Sequence, residues 1–139
     1  MDWPTVSRLG IPIWLRDTNE LRNLATLMAR NRFMASKDPT DASLFFIALR
    51  KKTLLQGLWR TASFHPEQPK MLKFLANDFD DPKKQSAALK NAFALLGKQR
   101  FELAAAFFLL GNRLKDAANV CIKHLRDVQL AICICRIYE

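Results

Sequence analysis

Residues 86–125 read SAALKNAFALLGKQRFELAAAFFLLGNRLKDAANVCIKHL, three apolar-periodic segments parted by two minimal breaks, Gly97-Lys98 and Gly111-Asn112. In the first segment Leu89, Phe93 and Leu96 recur at helical spacing and predict one apolar face. The second, Leu103 to Leu110, is apolar all round, as expected of a helix covered on several sides. Glycine just past the last periodic residue suits a helix C-terminus, because it reaches the left-handed conformation without steric cost. Connections this short make neighbouring helices antiparallel. The stretch predicts stacked helical hairpins.

Repetition strengthens that reading. Arg100-Phe101-Glu102-Leu103-Ala104-Ala105 lines up with Arg113-Leu114-Lys115-Asp116-Ala117-Ala118. Further upstream, Ser43-Leu44-Phe45-Phe46-Ile47-Ala48 echoes Ala105-Ala106-Phe107-Phe108-Leu109-Leu110. After one gap, Lys52-Thr53-Leu54-Leu55-Gln56 matches Lys115-Asp116-Ala117-Ala118-Asn119. Small residues let helices approach closely, and the Phe-Phe pairs fill the space between hairpins. A unit that cannot bury its apolar face alone predicts an all-α fold, an α-solenoid of antiparallel hairpins in a TPR-like or coat-protein-like right-handed stack.

The 139 residues make one domain-sized piece, half apolar and a quarter charged, with four glycines and few β-branched clusters to suggest a sheet. A formal charge of +9 could serve a polyanion or an acidic protein or membrane surface, or simply solvate the chain. Cys121, Cys133 and Cys135 are an odd number late in the chain, which fits a reducing compartment rather than a disulfide framework. Met1-Asp2-Trp3-Pro4 lacks the features of a signal peptide, and Leu103 to Leu110 is too short to cross a bilayer. A soluble intracellular protein is expected.

Taken in order, residues 1–16 read as irregular, with Pro4, Gly10 and Pro12 breaking any helix and Trp3, Ile11, Ile13 and Trp14 packing on the helices. The solenoid is expected over 17–139. Asp17 followed by Glu20 opens a helix from Thr18 to about Phe33, with Leu21, Leu24, Ala25 and Met28 inward and Arg22, Arg30 and Arg32 toward solvent. Asp38 and Pro39 start the Phe45-Phe46 helix. Thr53 is expected to cap the next, which runs through Arg60; a loop spans 62–69 and a short helix Met71 to Ala76. Asp81 and Pro82 open the long helix to Leu96. The last, Asp127 to Tyr138, is still apolar at Glu139, which suggests a fragment of a longer array.

Candidate chemistry is sparse. Asp78, Asp80 and Asp81 have Lys83 where a calcium loop needs glycine, so they read as turn and cap residues. Cys133 and Cys135 point to nearly opposite faces of a helix and cannot pinch one metal ion. His65 reads as an exposed loop residue and His124 as a helix C-terminal cation, neither with a nucleophile nearby in sequence. Gly97-Lys98 lacks the strand and glycine of a phosphate loop. The chain reads as a non-enzyme with no cofactor or metal. What remains is the set Arg50, Lys51, Lys52, Lys98, Arg100, Arg113 and Lys115, mainly at turns, expected to line one edge as a basic ridge for an acidic protein. Exposed aromatics around Trp3 and Trp14 would add contacts. The alternative is a basic helical nucleic-acid-binding module, against which stands the lack of a recognition-helix motif or stacking platform.

Several stretches resemble a known family. Ile11-Pro12-Ile13-Trp14-Leu15-Arg16, Lys37-Asp38-Pro39, Ala42-Ser43-Leu44-Phe45-Phe46-Ile47-Ala48-Leu49-Arg50-Lys51-Lys52 and Gly57-Leu58-Trp59-Arg60 are similar to the DmX-like (rabconnectin alpha) family, which includes the large subunit of the yeast RAVE complex. The strongest part is Ala87 to Phe93, Gly97 to Glu102, Ala105 to Leu110, Leu114 to Ala117 and Ile137-Tyr138-Glu139, while Ser63 to Lys70 matches least. The family's members are long, with WD-repeat propellers before a helical region, and this chain resembles part of the latter. The resemblance implies a non-catalytic scaffold that helps rejoin the peripheral and membrane sectors of the vacuolar-type proton ATPase, and so organelle acidification. It implies peripheral-sector pump subunits and other subunits of the same assembly complex as partners. It also implies a cytoplasmic location peripheral to vacuole, endosome or vesicle membranes.

Overall fold

The computed structural model describes residues 2–139; Met1, at the head of the segment expected to be irregular, lies outside them. Ten α-helices follow one another, α1 Trp3–Arg8, α2 Ile11–Trp14, α3 Thr18–Ser36, α4 Ser43–Ala48, α5 Lys52–Thr61, α6 Gln68–Leu75, α7 Pro82–Gly97, α8 Phe101–Leu110, α9 Leu114–Lys123 and α10 Val128–Tyr138, with a 3-10 turn at Pro39–Ala42. No strand occurs among the described residues. None of these helices is long and apolar enough to cross a membrane.

Four of the helix starts follow from local chemistry. The carboxylates of Asp2, Asp17, Asp81 and Asp127 accept backbone N–H groups of the first turn of α1, α3, α7 and α10, satisfying donors that the helix leaves over. Asp38 caps only the 3-10 turn, and α4 begins at Ser43 with no side-chain cap. Residues 1–16 are not irregular: Pro4 and Pro12 sit in the first turns of α1 and α2, where a proline costs no hydrogen bond. Gly10, at φ +68°, makes the corner between them. Thr53 does not cap α5; it lies inside the helix, which begins at Lys52 with Lys51 as its flanking residue and no side-chain cap.

The turns differ from expectation in an informative way. Gly97 is the last residue of α7 and Gly111 has φ −80°, so neither is left-handed. At these two turns, and at the one that ends α4, the left-handed residues are Gln99, Asn112 and Arg50. Around each, the same pair of backbone bonds recurs. Arg50, Gln99 and Asn112 donate to the carbonyls of Ile47, Leu96 and Leu109, while Lys51, Arg100 and Arg113 reach back to Phe46, Leu95 and Phe108. These are Schellman closures. The second residue of each, Lys51, Arg100 or Arg113, immediately precedes the next helix. One residue therefore ends one helix and begins another. The geometry also removes the gap from the internal repeat: Arg50 pairs with Asn112, Lys51 with Arg113, and α5 with α9, each of 10 residues.

What glycine does at position 111 is allow close approach. A Cβ there would stand 2.7 and 2.9 Å from the Leu89 side chain and 3.2 Å from the Gln85 carbonyl. Gly57, inside α5, faces open space. Gly111→Ala is expected to lower stability by about 1–2 kcal/mol, from overpacking. Gly57→Ala should raise it by about 0.5–1 kcal/mol through helix propensity. Urea titration of both variants checks the pair, and equal effects would refute the distinction.

The core forms where α4 meets α8. Every residue of α4, and Leu103 to Leu110 of α8, is buried. Phe45 and Phe108 are fully enclosed. On this pair pack α3 and α5 from one side, and α7 and α9 from the other end of the chain. The apolar face of α10 is not left bare, since α2, α3, α4 and α9 cover it. Phe93 departs from the expected inward face of α7: it is 60% exposed, edge-on to Phe108 at 5.1 Å.

Candidate functional site

The seven turn cations do not form one ridge. The 97–100 turn lies at one end of α8 and the 111–113 turn at the other. A helix of that length separates Lys98 and Arg100 from Arg113 and Lys115 by about 15 Å. Arg50 and Lys52 instead meet Asn112 around a depression of about 320 Å³ that includes Tyr138, Asp78 and Asp80.

Most of these cations are also spent inside the chain. Arg50 Nε donates to the Tyr138 carbonyl at 2.9 Å, with its guanidinium 4.0 Å from the centre of that ring. Lys51 Nζ donates to Thr26 Oγ1 at 3.3 Å. Lys52 Nζ donates to the Asn77 carbonyl at 2.6 Å and lies 5.0 Å from the Phe79 ring centre. Arg100 grips Glu67 through two bonds of 2.8 and 2.9 Å, and holds that carboxyl below the usual glutamate range. Arg113 Nε stands 3.2 Å from Asp116. Lys98 and Lys115 remain exposed.

Two arginines not singled out by sequence do related work. Arg22, expected in solvent, donates to the carbonyls of Leu49 and Ile137. Arg136 donates to the carbonyls of Pro12, Leu15 and Arg16 and to Thr18 Oγ1. Cations on carbonyls left over at helix C-termini are favoured by both hydrogen bonding and the dipole. An arginine amid the otherwise apolar ICICRIY of α10 is the one local hint of such a role.

Of the aromatics, Trp3 is buried, its indole N–H donating to Asp127 Oδ2 at 2.7 Å and its ring 5.8 Å from Phe45. It offers no outer surface. Trp14 is 59% exposed and its N–H is held by the Leu9 carbonyl at 2.8 Å. His65 is not an exposed loop residue either. It packs edge-on against Trp59, Nε2 lies 3.1 Å from Asp38 Oδ1, and Nδ1 accepts the Glu67 N–H at 3.0 Å. His124 stacks on Phe101 at 4.6 Å.

No group of three potential ligands among the described residues is placed to hold a metal ion. Cys121 and Cys133 are buried, and burial pushes both thiols up to about 12. Cys135 is half-exposed, with its thiol raised chiefly by burial. Since the thiolate is the reactive form, iodoacetamide at mildly alkaline pH should label Cys135 well before the other two in the folded chain. Peptide mass spectrometry after a short pulse reads the order, and equal labelling would contradict the packing of α9 against α10.

Two further depressions are more apolar at their floor. One, of about 270 Å³, lies between α3 and α5 over Phe46, with Phe33, Met34, Leu54, Leu58 and Arg30 around it. The other, of about 260 Å³, lies between α6 and α7 on α8, and gathers Lys98, Arg100, Glu67 and Lys70 at its rim. Here the structure brings Lys98 and Arg100, both expected on the basic ridge, together with Lys70, which is not a turn residue of that set.

A family model described as RAVE protein 1 C terminal matches residues 1–139. Over 137 residues the chain is 43% identical to "DmX-like protein 1" of Homo sapiens, covering 99% of this chain and 4% of that protein. Over 139 residues it is 42% identical to "Regulator of V-ATPase in vacuolar membrane protein 1" of Saccharomyces cerevisiae, covering 99% of this chain and 10% of that one. The protein of the same name in Schizosaccharomyces pombe is also 42% identical over 139 residues, with 11% of its length covered. The chain thus spans only a small part of the curated relatives it matches.

Proposed function

The chain belongs to the RAVE protein 1 C-terminal family, and from that membership we propose that it is a non-catalytic protein–protein interaction segment serving assembly of the vacuolar-type proton ATPase. The observation that carries the reading is the end-to-end match to proteins named as V-ATPase regulators. On this reading it contacts pump subunits of the peripheral sector and other members of an assembly complex. It would attach to vacuolar or vesicle membranes through those partners. The recurring turn chemistry of α4–α5 and α8–α9 supports a further element: residues 17–139 as one section of an α-solenoid, with 1–16 packed on it. Small-angle scattering from a longer stretch of a relative should then show an extended rod, and a globular profile would overturn that element.

Protein is favoured over nucleic acid as partner because Arg50, Lys51, Lys52, Arg100 and Arg113 are already engaged within the chain. Phosphate binding draws on free cations. Immobilised chain incubated with cell lysate should retain proton-pump subunits, less of them as salt is raised. Ribosomal proteins and RNA in the eluate instead would replace this reading with the nucleic-acid one.

A further inference from the structure

The groove between α6 and α7 has the makings of a binding site. α6 packs along α5, whereas α7 packs along α8, and the chain crosses between them at 76–81. The groove floor is Leu103 and Phe107 of α8; Met71 stands on one side, and Leu95 and Ala94 on the other. The floor is fixed in place: Phe74 stacks on Phe107 at 5.0 Å with the rings 9° from parallel. Ala94 is exposed on the α7 wall and lets an incoming backbone come close.

Its rim decides what fits. Glu67 is the one carboxylate lining the groove, and Arg100 already holds it. Lys70 and Lys98 are left as two exposed positive charges facing across an apolar floor. A second copy of this chain, itself at +9, is repelled by such a rim. Nucleic acid would need open ring faces, and those of Phe74 and Phe107 are spent on each other. An α7 wall from Asn91 to Lys98 presents about two helical turns. We propose that this groove docks an acidic amphipathic helix of a partner protein, whose apolar side chains sit over Met71, Leu95 and Leu103 and whose carboxylates meet Lys70 and Lys98. This rests on reading the chain as a protein-interaction segment and names the chemistry of the partner.

The test uses a synthetic acidic peptide of about four helical turns with leucines at i, i+3, i+4 and i+7, titrated into the isotope-labelled chain. Amide shifts should concentrate in 70–75, 91–98 and 103–107. The combined variant Lys70→Glu with Lys98→Glu should weaken binding about tenfold, or roughly 1.4 kcal/mol. Ala94→Arg, an exposed change on a helix, should block binding while leaving thermal unfolding unaltered. Lys115→Glu, in the first turn of α9 beyond the far end of α8, should do nothing. Shifts centred on Phe46 and Leu54, equal binding of a leucine-free acidic peptide, or full binding by Ala94→Arg would each overturn the proposal. Two lysate results separate it from the broader reading. If Ala94→Arg retains pump subunits as the unaltered chain does, the groove is refuted and the interaction role stands. If the unaltered chain retains none while the peptide still binds at the groove, the pump reading falls and the groove survives.

Discussion

Phe45→Ala is expected to destabilise the chain by about 4 kcal/mol, in the range for removing a fully enclosed aromatic ring. Phe45 has no solvent exposure, and it is where three parts of the chain meet. The Trp3 ring lies 5.8 Å from it and the Arg32 guanidinium 5.6 Å from its centre, while its helix is the one that packs on α8. The cavity left behind would be lined from α1, α3 and α4 together, so none of them can close it alone. Urea unfolding should show a lower midpoint with an unchanged slope. Phe93→Ala, at 60% exposure, is the control and should cost about 1 kcal/mol. A Phe45 variant no worse than the Phe93 variant would mean that the α4–α8 contact is not the centre of the fold.

Arg136→Ala is the second large effect, about 3 kcal/mol. The Arg136 guanidinium serves the carbonyls of Pro12, Leu15 and Arg16 and the hydroxyl of Thr18, acceptors drawn from α2, the link after it and the start of α3. A hydrogen bond from a charged donor contributes about 1.5–3 kcal/mol, and stranding its acceptors costs more than losing the bond alone. Arg136→Lys keeps the charge but not the planar fork, so it should restore less than half of the loss. The effect should also be local: hydrogen exchange ought to quicken in 3–16 before it does in α8. Uniform exchange across the chain would show that Arg136 does not tie the first two helices down.

Helix starts were readable at α3, α7 and α10, where their signal is carried by one aspartate and the next turn, and not at α1, α2 or α5. Asp17, Asp81 and Asp127 each cap the helix that follows, whereas Asp38 caps the 3-10 turn ahead of α4. Helix ends were placed to within a residue, as at Gly97 and Leu110, but the residue that closes each turn was not, because a Schellman turn is closed by backbone bonds to which side chains contribute little. Arg50 and Gln99 take the left-handed conformation without being glycine. The duty of a cation was also hidden. Whether an arginine is free depends on what the fold sets opposite it: Arg100 finds Glu67, and Arg136 finds the far end of the chain. Charge count alone therefore overstated the exposed basic surface. The all-helical class was legible in Leu103 to Leu110, every residue of which is buried.

Lys51, Arg100 and Arg113 are each shared between two helices. No slack separates one rod from the next at these joints, so a tug on either rod has no spare length to draw out. It must be passed on as leverage, and the joined rods respond as a stiff bracket rather than as beads on a string.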